Sequence, residues 1–453
     1  PEQTFTTPEV MMVYSDRGFS HMSHCIHKSI RNHVCRGVWK NRQRPVLINN
    51  WEATYFDFTG DKLVEIAKDA FDMGIELFVM DDGWFGKRDD DNSGLGDWYP
   101  NEKKLGCTLK ELGEKITATG MKFGIWFEPE SISIDSDLYR AHPDWVIQQP
   151  GRLPNLSRNE LVLDFSRVDV QDYILERIRA ILTEAPISYI KWDMNRSICD
   201  KYSNQLDALH QGEFAHRYIL GLYRVFEAIY QEFPEVIIES CSGGGGRFDA
   251  GILYYTPQIW CSDNTDAISR LDIQYGTSFG YPVSAMGAHV SAVPNHQTGR
   301  VTPIETRGCV AMSGTFGYEL DITKMTAEDK EVVRHQIERF HEFYSLIQYG
   351  DYYRLISPKH PYTVWEFVNE NKSEALVNAV HARVEACMTP IHVKIKGLKE
   401  DANYLVTLLD EEMYEKWHLH NCILSGAALM KGGITFPLPW MDYQSMQYYI
   451  REI

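Results

Sequence analysis

The stretch Ile187-Ser-Tyr-Ile-Lys-Trp-Asp-Met-Asn-Arg196 carries the strongest fold signal in this chain. It begins as an apolar run rich in β-forming residues and ends in three charged groups, Lys191, Asp193 and Arg196. A buried strand that presents charge at its carboxyl end is typical of α/β enzymes. Asp193 is therefore our candidate nucleophile. If Lys191 and Arg196 also lie near it in space, they keep its carboxylate ionised.

Similar apolar runs recur on both sides of this strand, separated mostly by helical patterns. We predict seven further strands, at 45–51, 75–80, 121–127, 161–164, 236–239, 258–260 and 282–286. Helical patterns lie at 18–34, 60–73, 109–119, 169–184, 212–232 and 327–347. Strands that alternate with helices pair in parallel, and eight such units predict an α/β fold, the (β/α)8 TIM barrel. A doubly wound open sheet is the alternative, but no GxGxxG follows the first strand and polar groups gather at nearly every strand end.

Beyond residue 350 the pattern changes to short alternating runs interrupted by glycine-containing turns. Such runs lie at 362–367, 375–380 and 392–395. They predict a C-terminal antiparallel β-sandwich of about a hundred residues. We therefore divide the chain into a catalytic barrel with an N-terminal lead-in at 1–349 and a β-sandwich at 350–453.

Charge and cysteine content restrict the class of protein. The 453 residues have a formal net charge of −18, which argues against nucleic acid and anionic membranes as partners and makes a neutral substrate the default. The nine scattered cysteines, with no CxxC, favour free thiols in a reducing compartment, so we expect a cytoplasmic protein. No apolar run reaches transmembrane length. The chain begins at Pro1 without a leader pattern, and we interpret this start as a cut or processed end.

The predicted strand ends are rich in carboxylates and tryptophans. In a barrel the active site is built from the carboxyl ends of the strands. Tryptophan rings offer apolar faces to the C–H faces of a sugar ring, and carboxylates accept hydrogen bonds from hydroxyl groups. These residue types therefore predict a carbohydrate site. The candidates are Trp51, Asp81, Asp82, Trp84, Trp126, Glu128, Glu130, Lys191, Asp193, Arg196, Cys241, Asp263, Asp266 and His289.

A partner for Asp193 is needed, because ordinary glycoside hydrolysis uses two carboxyl groups. Asp263 follows Trp260, and we expect it in a drier place where a carboxyl group keeps its proton longer. Opposed environments of this kind suggest that Asp193 attacks and Asp263 protonates. From spacing alone, three other carboxylates are equally eligible: Asp81, Asp82 and Asp266.

Two motifs that suggest a metal have a simpler interpretation. His21, His24 and His27 repeat at steps of three, but no carboxylate is spaced to complete a site, so we expect no metal there. The acidic run 89–94 starts like a calcium loop but lacks the final Glu, which favours a solvated loop.

Two glycine-containing motifs also have alternatives. The glycines at 243–246 lack the Lys-Ser/Thr of a P-loop, and we expect them to let the backbone approach a ligand closely. The stretch 81–83, Asp-Asp-Gly, is also compatible with a simple turn.

Four longer motifs carry a resemblance to a known family. They are Asp81-Asp-Gly-Trp84, Lys191-Trp-Asp-Met-Asn-Arg196, Cys241-Ser-Gly-Gly-Gly-Gly-Arg-Phe-Asp249 and Trp260-Cys-Ser-Asp-Asn-Thr-Asp266. In this order they resemble the signature stretches of family 36 glycoside hydrolases, in particular the bacterial α-galactosidases. The resemblance runs from about residue 5 to the end of the chain.

This resemblance implies a retaining α-galactosidase that releases galactose from raffinose, melibiose and stachyose without a cofactor. It implies Asp193 as the nucleophile and Asp263 as the acid/base. Asp81 and Asp82 would bind the galactose hydroxyls at C4 and C6, and Lys191 would hold ring hydroxyls. Further matching pocket positions are Trp51, Trp126, Arg158, Cys241 and Gly243, with Asp266 and Arg270 in supporting roles.

One departure from the family pattern is large. Members of this group carry an N-terminal β-sandwich before the barrel, which helps them form tetramers, and it is expected to be missing here. The homo-tetramer of the full-length family is therefore in doubt for this chain. The alternatives are α-N-acetylgalactosaminidase activity or galactosyl transfer on the same scaffold, non-catalytic sugar binding, and a metal-dependent barrel hydrolase.

Overall fold

The centre of the fold is a closed barrel of eight parallel strands. The computed structural model describes residues 4–409, 417 and 419–453. Before residue 350, the described chain contains ten strands: β1 (Leu47–Asn49), β2 (Leu77–Met80), β3 (Lys122–Phe127), β4 (Ser131–Ser133), β5 (Glu160–Val162), β6 (Ile187–Trp192), β7 (Ile237–Ser240), β8 (Gln258–Trp260), β9 (Met286–Ser291) and β10 (Thr315–Glu319). Eight of them close the barrel in the order β1-β10-β9-β8-β7-β6-β3-β2. This arrangement confirms the predicted α/β fold class and its TIM barrel.

Helices surround the barrel and connect its strands. They are α1 (Gly18–Ser29), α2 (Trp51–Thr54), α3 (Gly60–Phe71), α4 (Glu102–Leu105), α5 (Leu109–Thr117), α6 (Asp137–Ala141), α7 (Val168–Glu184), α8 (Phe214–Glu232), α9 (Ala250–Leu253), α10 (Ala267–Thr277), α11 (Ile304–Ala311) and α12 (Ala327–Tyr349). Their starts follow local chemistry: Thr108 and Glu111 form a capping box at α5, which satisfies two backbone N–H groups. In the part of the chain that the structure describes, no helix has the length and apolar character needed to cross a membrane.

The pairing of β3 with β6 sets the level of the site. Trp126 lies beside Lys191 and Phe127 beside Trp192 in this parallel register. The backbone N–H of Asp193 then donates to the carbonyl of Phe127 over 2.7 Å. The residues that follow β3 and β6 therefore emerge together at the carboxyl end of the barrel.

Two strand predictions were wrong. The run 161–164 was predicted as a barrel strand, but β5 pairs antiparallel with β4 in a separate two-stranded sheet. The eighth barrel strand is instead β10, which the sequence analysis did not identify. The run 161–164 was assigned to the barrel because a short apolar run does not reveal which strand it pairs with. The run predicted at 282–286 is mostly a 3₁₀ turn, and β9 begins only at Met286.

The C-terminal part is antiparallel. Its described strands are β11 (Asp351–Ile356), β12 (Tyr362–Val368), β13 (Glu374–His381), β14 (His392–Val393), β15 (Asn403–Leu408), β16 (Cys422–Ser425), β17 (Ile434–Thr435) and β18 (Gln444–Glu452). A six-stranded sheet, β11-β12-β13-β18-β15-β16, and the pair β14-β17 share one hydrophobic core. The predicted division at 349/350 coincides with the end of α12 but stays a prediction, and positions 1–3, 410–416 and 418 lie outside the described residues.

The histidines of α1 have structural partners. His24 Nε2 lies 2.9 Å from the carbonyl oxygen of Tyr352, and His27 Nε2 lies 2.8 Å from that of Ser278. Burial lowers the pKa of His27 to about 3, so the ring is neutral at ordinary pH. Both rings fasten α1 to the junction between the barrel and the C-terminal sheet.

Candidate active site

A cavity of about 230 Å³ opens at the carboxyl end of the barrel. Eight residues predicted from the sequence line it: Trp51, Asp81, Asp82, Trp126, Arg158, Lys191, Asp193 and Asp263. The structure adds ten lining residues that the prediction did not include: Glu52, Phe56, Arg88, Asp91, Asn195, Trp260, Thr265, His296, Gln297 and Glu319. The strand-end argument therefore located the correct end of the barrel but not the full wall of the cavity.

Asp193 is held by three N–H donors. Its Oδ2 accepts from the indole of Trp126 over 3.3 Å and from the amide of Asn195 over 2.9 Å. Its Oδ1 accepts from the backbone N–H of Met194 over 2.8 Å. Such donors stabilise a negative charge on the carboxylate and fix its orientation.

The two cations near Asp193 in the sequence, Lys191 and Arg196, have different partners. Lys191 is buried, and its Nζ forms an ion pair of 2.8 Å with Asp81. Burial opposes its charge, but Asp81 and other nearby carboxylates outweigh burial and raise the pKa of Lys191 well above its usual range. Arg196 donates to the backbone carbonyls of Asn155 and Ser157, so the condition that it lies beside Asp193 is not met. Nearness in sequence did not fix its direction, because beyond the end of β6 the guanidinium follows carbonyl acceptors in the loop around 155–157.

Asp263 occupies a different environment from Asp193. Its Oδ1 accepts a hydrogen bond of 3.0 Å from the indole of Trp260. Asp263 is exposed at the mouth of the cavity, but desolvation by the surrounding protein first, and then the negative charge of Asp193, raise the pKa of its carboxyl group above the ordinary value. Its backbone carbonyl accepts from the amide of Gln297 over 2.9 Å. A carboxyl group of this kind keeps its proton to higher pH than a solvated one.

Asp81 and Asp82 both face the cavity from the end of β2. Asp82 receives a two-pronged contact from Arg88, with Nε at 3.1 Å from Oδ1 and NH2 at 2.9 Å from Oδ2. Burial raises the pKa of Asp82, although Arg88 opposes the shift. Gly83 does turn the chain here, with φ of 106°. The turn and the presentation of two carboxylates therefore coexist.

Cys241 and Gly243 are not among the described residues that line the cavity. The Cys241 thiol is buried in hydrogen-bond contact with Asp193, and burial, followed by the charges of Asp193 and Asp263, raises its pKa. Gly243 faces Asn195, because a Cβ at this position would lie 3.8 Å from its Oδ1. Cys241 therefore supports the cavity wall from behind through Asp193, and the exposed Gly243 lies beside the lining residue Asn195.

The neighbouring glycines have a different partner from the one expected. A Cβ on Gly244 would lie 2.6 Å from Cα of Ser262 and 2.8 Å from the backbone nitrogen of Asp263. A Cβ on Gly245 would lie 2.7 Å from the carbonyl of Cys261. These two glycines let the loop pack against the segment that carries Asp263, so their close approach is to protein rather than to a ligand.

Asp266 and Arg270 stabilise that same segment. Asp266 caps α10 by accepting from the backbone of Ser269 over 3.0 Å. The guanidinium of Arg270 donates to the backbone carbonyls of Asn264 and Gly287, at 2.8 Å and 3.0 Å. They hold the backbone around Asp263 and are absent from the described cavity lining.

Comparison with known proteins agrees with this architecture. The Melibiase family model matches residues 4–350, and the model of the glycosyl hydrolase family 36 C-terminal domain matches residues 362–450. The chain belongs to the melibiase family, within glycoside hydrolase family 36.

Curated relatives in family 36 align with the whole chain. It is 52% identical over 452 residues to the bifunctional alpha-galactosidase/sucrose kinase AgaSK of Mediterraneibacter gnavus, covering 100% of this chain and 46% of the relative. It is 50% identical over 454 residues to alpha-galactosidase AgaA of Geobacillus stearothermophilus, covering 100% of this chain and 61% of AgaA. The chain thus spans about half to three fifths of the length of these relatives.

Solved structures of family 36 superpose closely. The crystal structure of AgaA matches with a TM-score of 0.93 at 50% identity, over 97% of this chain and 60% of AgaA. A variant of AgaA in complex with raffinose matches with a TM-score of 0.93 at 49% identity, over 97% of this chain and 60% of that one.

Three acidic residues of this family 36 site were missed: Glu52, Asp91 and Glu319. Asp91 lies in the acidic run at 89–94 that was interpreted as a solvated loop. Glu319 ends β10, so missing the strand meant missing the residue, although Thr315-Phe-Gly-Tyr-Glu319 has the composition of a strand ending in charge. Glu52 lines the cavity from the segment that follows β1, and its Oε1 accepts a hydrogen bond from the hydroxyl of Thr265 over 2.7 Å. Burial, and then the charge of Glu319, raise the pKa of Glu52 to about 8. Only the composition of β10 offered a signal in the sequence; the contact between Glu52 and Thr265 spans 213 positions.

Proposed function

We propose that this chain is a retaining α-galactosidase that hydrolyses terminal α-galactosyl residues of galacto-oligosaccharides. The observation that carries the proposal is the pairing of Asp193 and Asp263 across one cavity of a family 36 barrel. Asp193 is held by N–H donors, whereas desolvation and the charge of Asp193 favour the protonated form of Asp263. Two carboxyl groups in opposed environments are what a glycosidase needs for its nucleophile and its acid.

The reaction proceeds in two displacements. In the first, a carboxylate oxygen of Asp193 attacks the anomeric carbon while Asp263 gives its proton to the departing glycosidic oxygen. This forms a galactosyl ester on Asp193 and leaves Asp263 charged. In the second, Asp263 takes a proton from water, the water oxygen attacks the anomeric carbon, and the ester bond breaks. Galactose leaves with its original configuration and both carboxyl groups return to their starting state.

Esterification of Asp193 also prepares Asp263 for the second step. The charge of Asp193 is the second-largest cause of the raised pKa of Asp263. When Asp193 becomes a neutral ester, this contribution disappears and Asp263 holds its proton less tightly. The same group thereby serves first as an acid and then as a base.

Sugar recognition is assigned to the remaining predicted residues. Asp81 and Asp82 accept hydrogen bonds from the hydroxyls at C4 and C6, and Lys191 binds ring hydroxyls next to its ion pair with Asp81. Trp51 packs edge-on against Tyr55, with ring centroids 5.2 Å apart, and offers an apolar face at the rim. The other proposed contacts are Trp126, Arg158, Cys241 and Gly243, the last two through the lining residues Asp193 and Asn195 beside them.

Substrate choice follows the relatives. AgaA structures in complex with raffinose and stachyose support both as substrates here, with melibiose as the shortest member of the series. We propose hydrolysis over transfer. We propose galactose over N-acetylgalactosamine because the Cys241 thiol is buried in contact with Asp193 and takes up space beside the nucleophile. The reaction as proposed uses no metal or cofactor. The nine free cysteines support a reducing compartment, and we propose the cytoplasm. The homo-tetramer predicted for full-length family members is not proposed for this chain.

The first test is activity of the purified chain against nitrophenyl α-glycosides. We expect release of nitrophenol from the α-galactoside and much slower release from the α-N-acetylgalactosaminide, unchanged by a chelator. Proton NMR of the first product should show α-galactose, since double displacement retains configuration. Added sucrose separates hydrolysis from transfer through the appearance of raffinose. Galactose binding without turnover of any α-galactoside would instead support the binding-only alternative, and first-formed β-galactose would contradict retention.

A second test addresses the glycine loop. A Gly244→Ala substitution places a Cβ against the backbone of Ser262 and Asp263 at a residue with φ of 80°. Overpacking and left-handed strain together should lower the free energy of unfolding by about 1–3 kcal/mol, and displacement of Asp263 should lower kcat at least about tenfold. Gly280→Ala is the matched control, because nothing lies within 4 Å of its Cβ. Thermal unfolding measures the stability of the two variants, and galactoside turnover measures their kcat. Equal stability and equal kcat in Gly244→Ala and Gly280→Ala would contradict the packing argument.

A further inference from the structure

The amide of Asn195 lies between two carboxyl groups, those of Asp193 and Glu128. Its Nδ2 donates to Oδ2 of Asp193 over 2.9 Å and to Oε2 of Glu128 over 3.0 Å. The backbone N–H of Asn195 also donates to the other oxygen of Glu128, Oε1. Glu128 therefore grips Asn195 at two points, one on the main chain and one on the side chain.

This arrangement uses both hydrogens of the amide nitrogen. One hydrogen points to Glu128 and the other to Asp193, so the carbonyl oxygen Oδ1 is directed away from both carboxyl groups. Rotating the amide by half a turn would place Oδ1 against two acceptors and lose both hydrogen bonds. The contacts of Asn195 with both oxygens of the Glu128 carboxyl group thus hold the amide in the orientation in which it donates to Asp193.

Glu128 has no direct route to a bound sugar in the described structure. It directly follows β3, is 1% exposed, and is absent from the described cavity lining, whereas Asn195 and Asp193 both line the cavity. Its remaining side-chain contact is with the hydroxyl of Ser131, at 3.4 Å. The hydrogen-bonded path from Glu128 to the reacting atoms therefore passes through Asn195. Burial first, and then the charges of Glu160 and Asp193, raise the pKa of Glu128 well above its usual range, so its neutral form is favoured beside the charged Asp193.

We propose that Glu128 is a positioning residue that acts through Asn195 to orient the Asp193 carboxylate for attack and to stabilise its charge as the galactosyl ester breaks. The inference rests on the proposed function, since it takes Asp193 as the nucleophile. Glu128 thus acts through its contacts with the main chain and side chain of Asn195, and not through contact with the substrate. The predicted signature is a loss of kcat with little change in KM, because sugar contacts remain while the nucleophile is misaligned.

The test is a double-mutant cycle on the full chain with nitrophenyl α-galactoside as the probe. Glu128→Gln keeps the side-chain volume but offers an NH2 group where one N–H of Asn195 needs an acceptor. We expect kcat to fall by about 10²-fold, the usual cost of misplacing a reacting group by about 1 Å, with KM changed by less than about threefold. Asn195→Ala should show a similar loss. The double variant should be no slower than Asn195→Ala, since residues that act as one unit are non-additive.

A matched control separates positioning from general loss of stability. Glu366→Gln removes another fully buried carboxyl group, in β12 of the C-terminal sheet, and should leave kcat unchanged even if the melting temperature falls. If Glu128→Gln does not fold, as thermal unfolding will show, Glu128→Asp takes its place in the cycle. Losses that multiply in the double variant, or a kcat within about twofold of wild type for both Glu128 variants, would overturn the inference. An inactive wild-type chain would instead refute the proposed function.

Discussion

An Asp193→Asn variant should lose turnover of both raffinose and nitrophenyl α-galactoside by roughly 10⁴–10⁶-fold, the scale on which enzymes lose kcat when a nucleophile is removed. The amide is nearly isosteric with the carboxylate, but its nitrogen cannot form the galactosyl ester. Its NH2 group also takes the place of one acceptor oxygen, and so opposes either Met194 N–H at Oδ1 or the Trp126 and Asn195 donors at Oδ2. Steady-state kinetics on both substrates measures the loss, and galactose binding by calorimetry shows that the cavity remains.

Azide provides the positive test of the same residue. In an Asp193→Gly variant the missing side chain leaves room for a small anion beside the anomeric carbon. Azide should then restore part of the turnover of an activated galactoside and yield β-galactosyl azide, because one displacement inverts configuration. Asp61→Asn on α3 is the control, since the Asp61 side chain is 96% exposed and should leave turnover unchanged. Near-normal turnover by Asp193→Asn, or an α-azide product from the glycine variant, would remove Asp193 as the nucleophile.

The barrel was predictable because its strands carry their own signal. The stretch 187–196 combines a buried apolar run with charge at its carboxyl end, and the observed strand β6 ends at Trp192, one residue before Asp193. The run at 161–164 is also apolar and also ends in a carboxylate, yet β5, which it overlaps, pairs with β4 outside the barrel. Pairing partners are set by tertiary contacts, which a local pattern does not contain. The missed β10 shows the converse case, in which a five-residue strand with an internal glycine gives a weak pattern but completes the barrel.

The candidate site was predictable to the extent that its residues follow strands directly. Asp81 and Asp193 do so, Lys191 lies in β6 one residue before its end, and all three meet at the cavity. Arg196 follows the same strand but is drawn away by backbone carbonyls some forty positions earlier. Glu52 has its hydroxyl partner in the loop after β8, a contact that spacing along the chain does not encode. The roles of nucleophile and acid came from family resemblance, since spacing alone left several carboxylates eligible.

Asp263→Ala should separate substrates according to their leaving groups. Raffinose has a poor leaving group that needs protonation, so its hydrolysis should fall by about 10²–10⁴-fold, the usual contribution of general acid catalysis. A dinitrophenyl galactoside has a leaving group that departs without a proton, so galactosylation of Asp193 remains fast. The second displacement then lacks its base and becomes rate-limiting. Stopped-flow measurement should show a burst of dinitrophenol followed by slow turnover.

The pH dependence gives this prediction its sign. Desolvation and the charge of Asp193 raise the pKa of Asp263, so the wild-type chain retains the protonated acid to higher pH than a solvated Asp, and activity on raffinose falls as pH rises through that pKa. Asp263→Ala has no such proton to lose, and its basic limb should disappear. Azide, which attacks without a base, should accelerate the slow phase and give α-galactosyl azide, because two displacements retain configuration. Equal losses on both substrates with an unchanged basic limb would assign the acid to another carboxyl group, and Glu52, whose pKa is raised to about 8 on the same cavity wall, would be the next to replace.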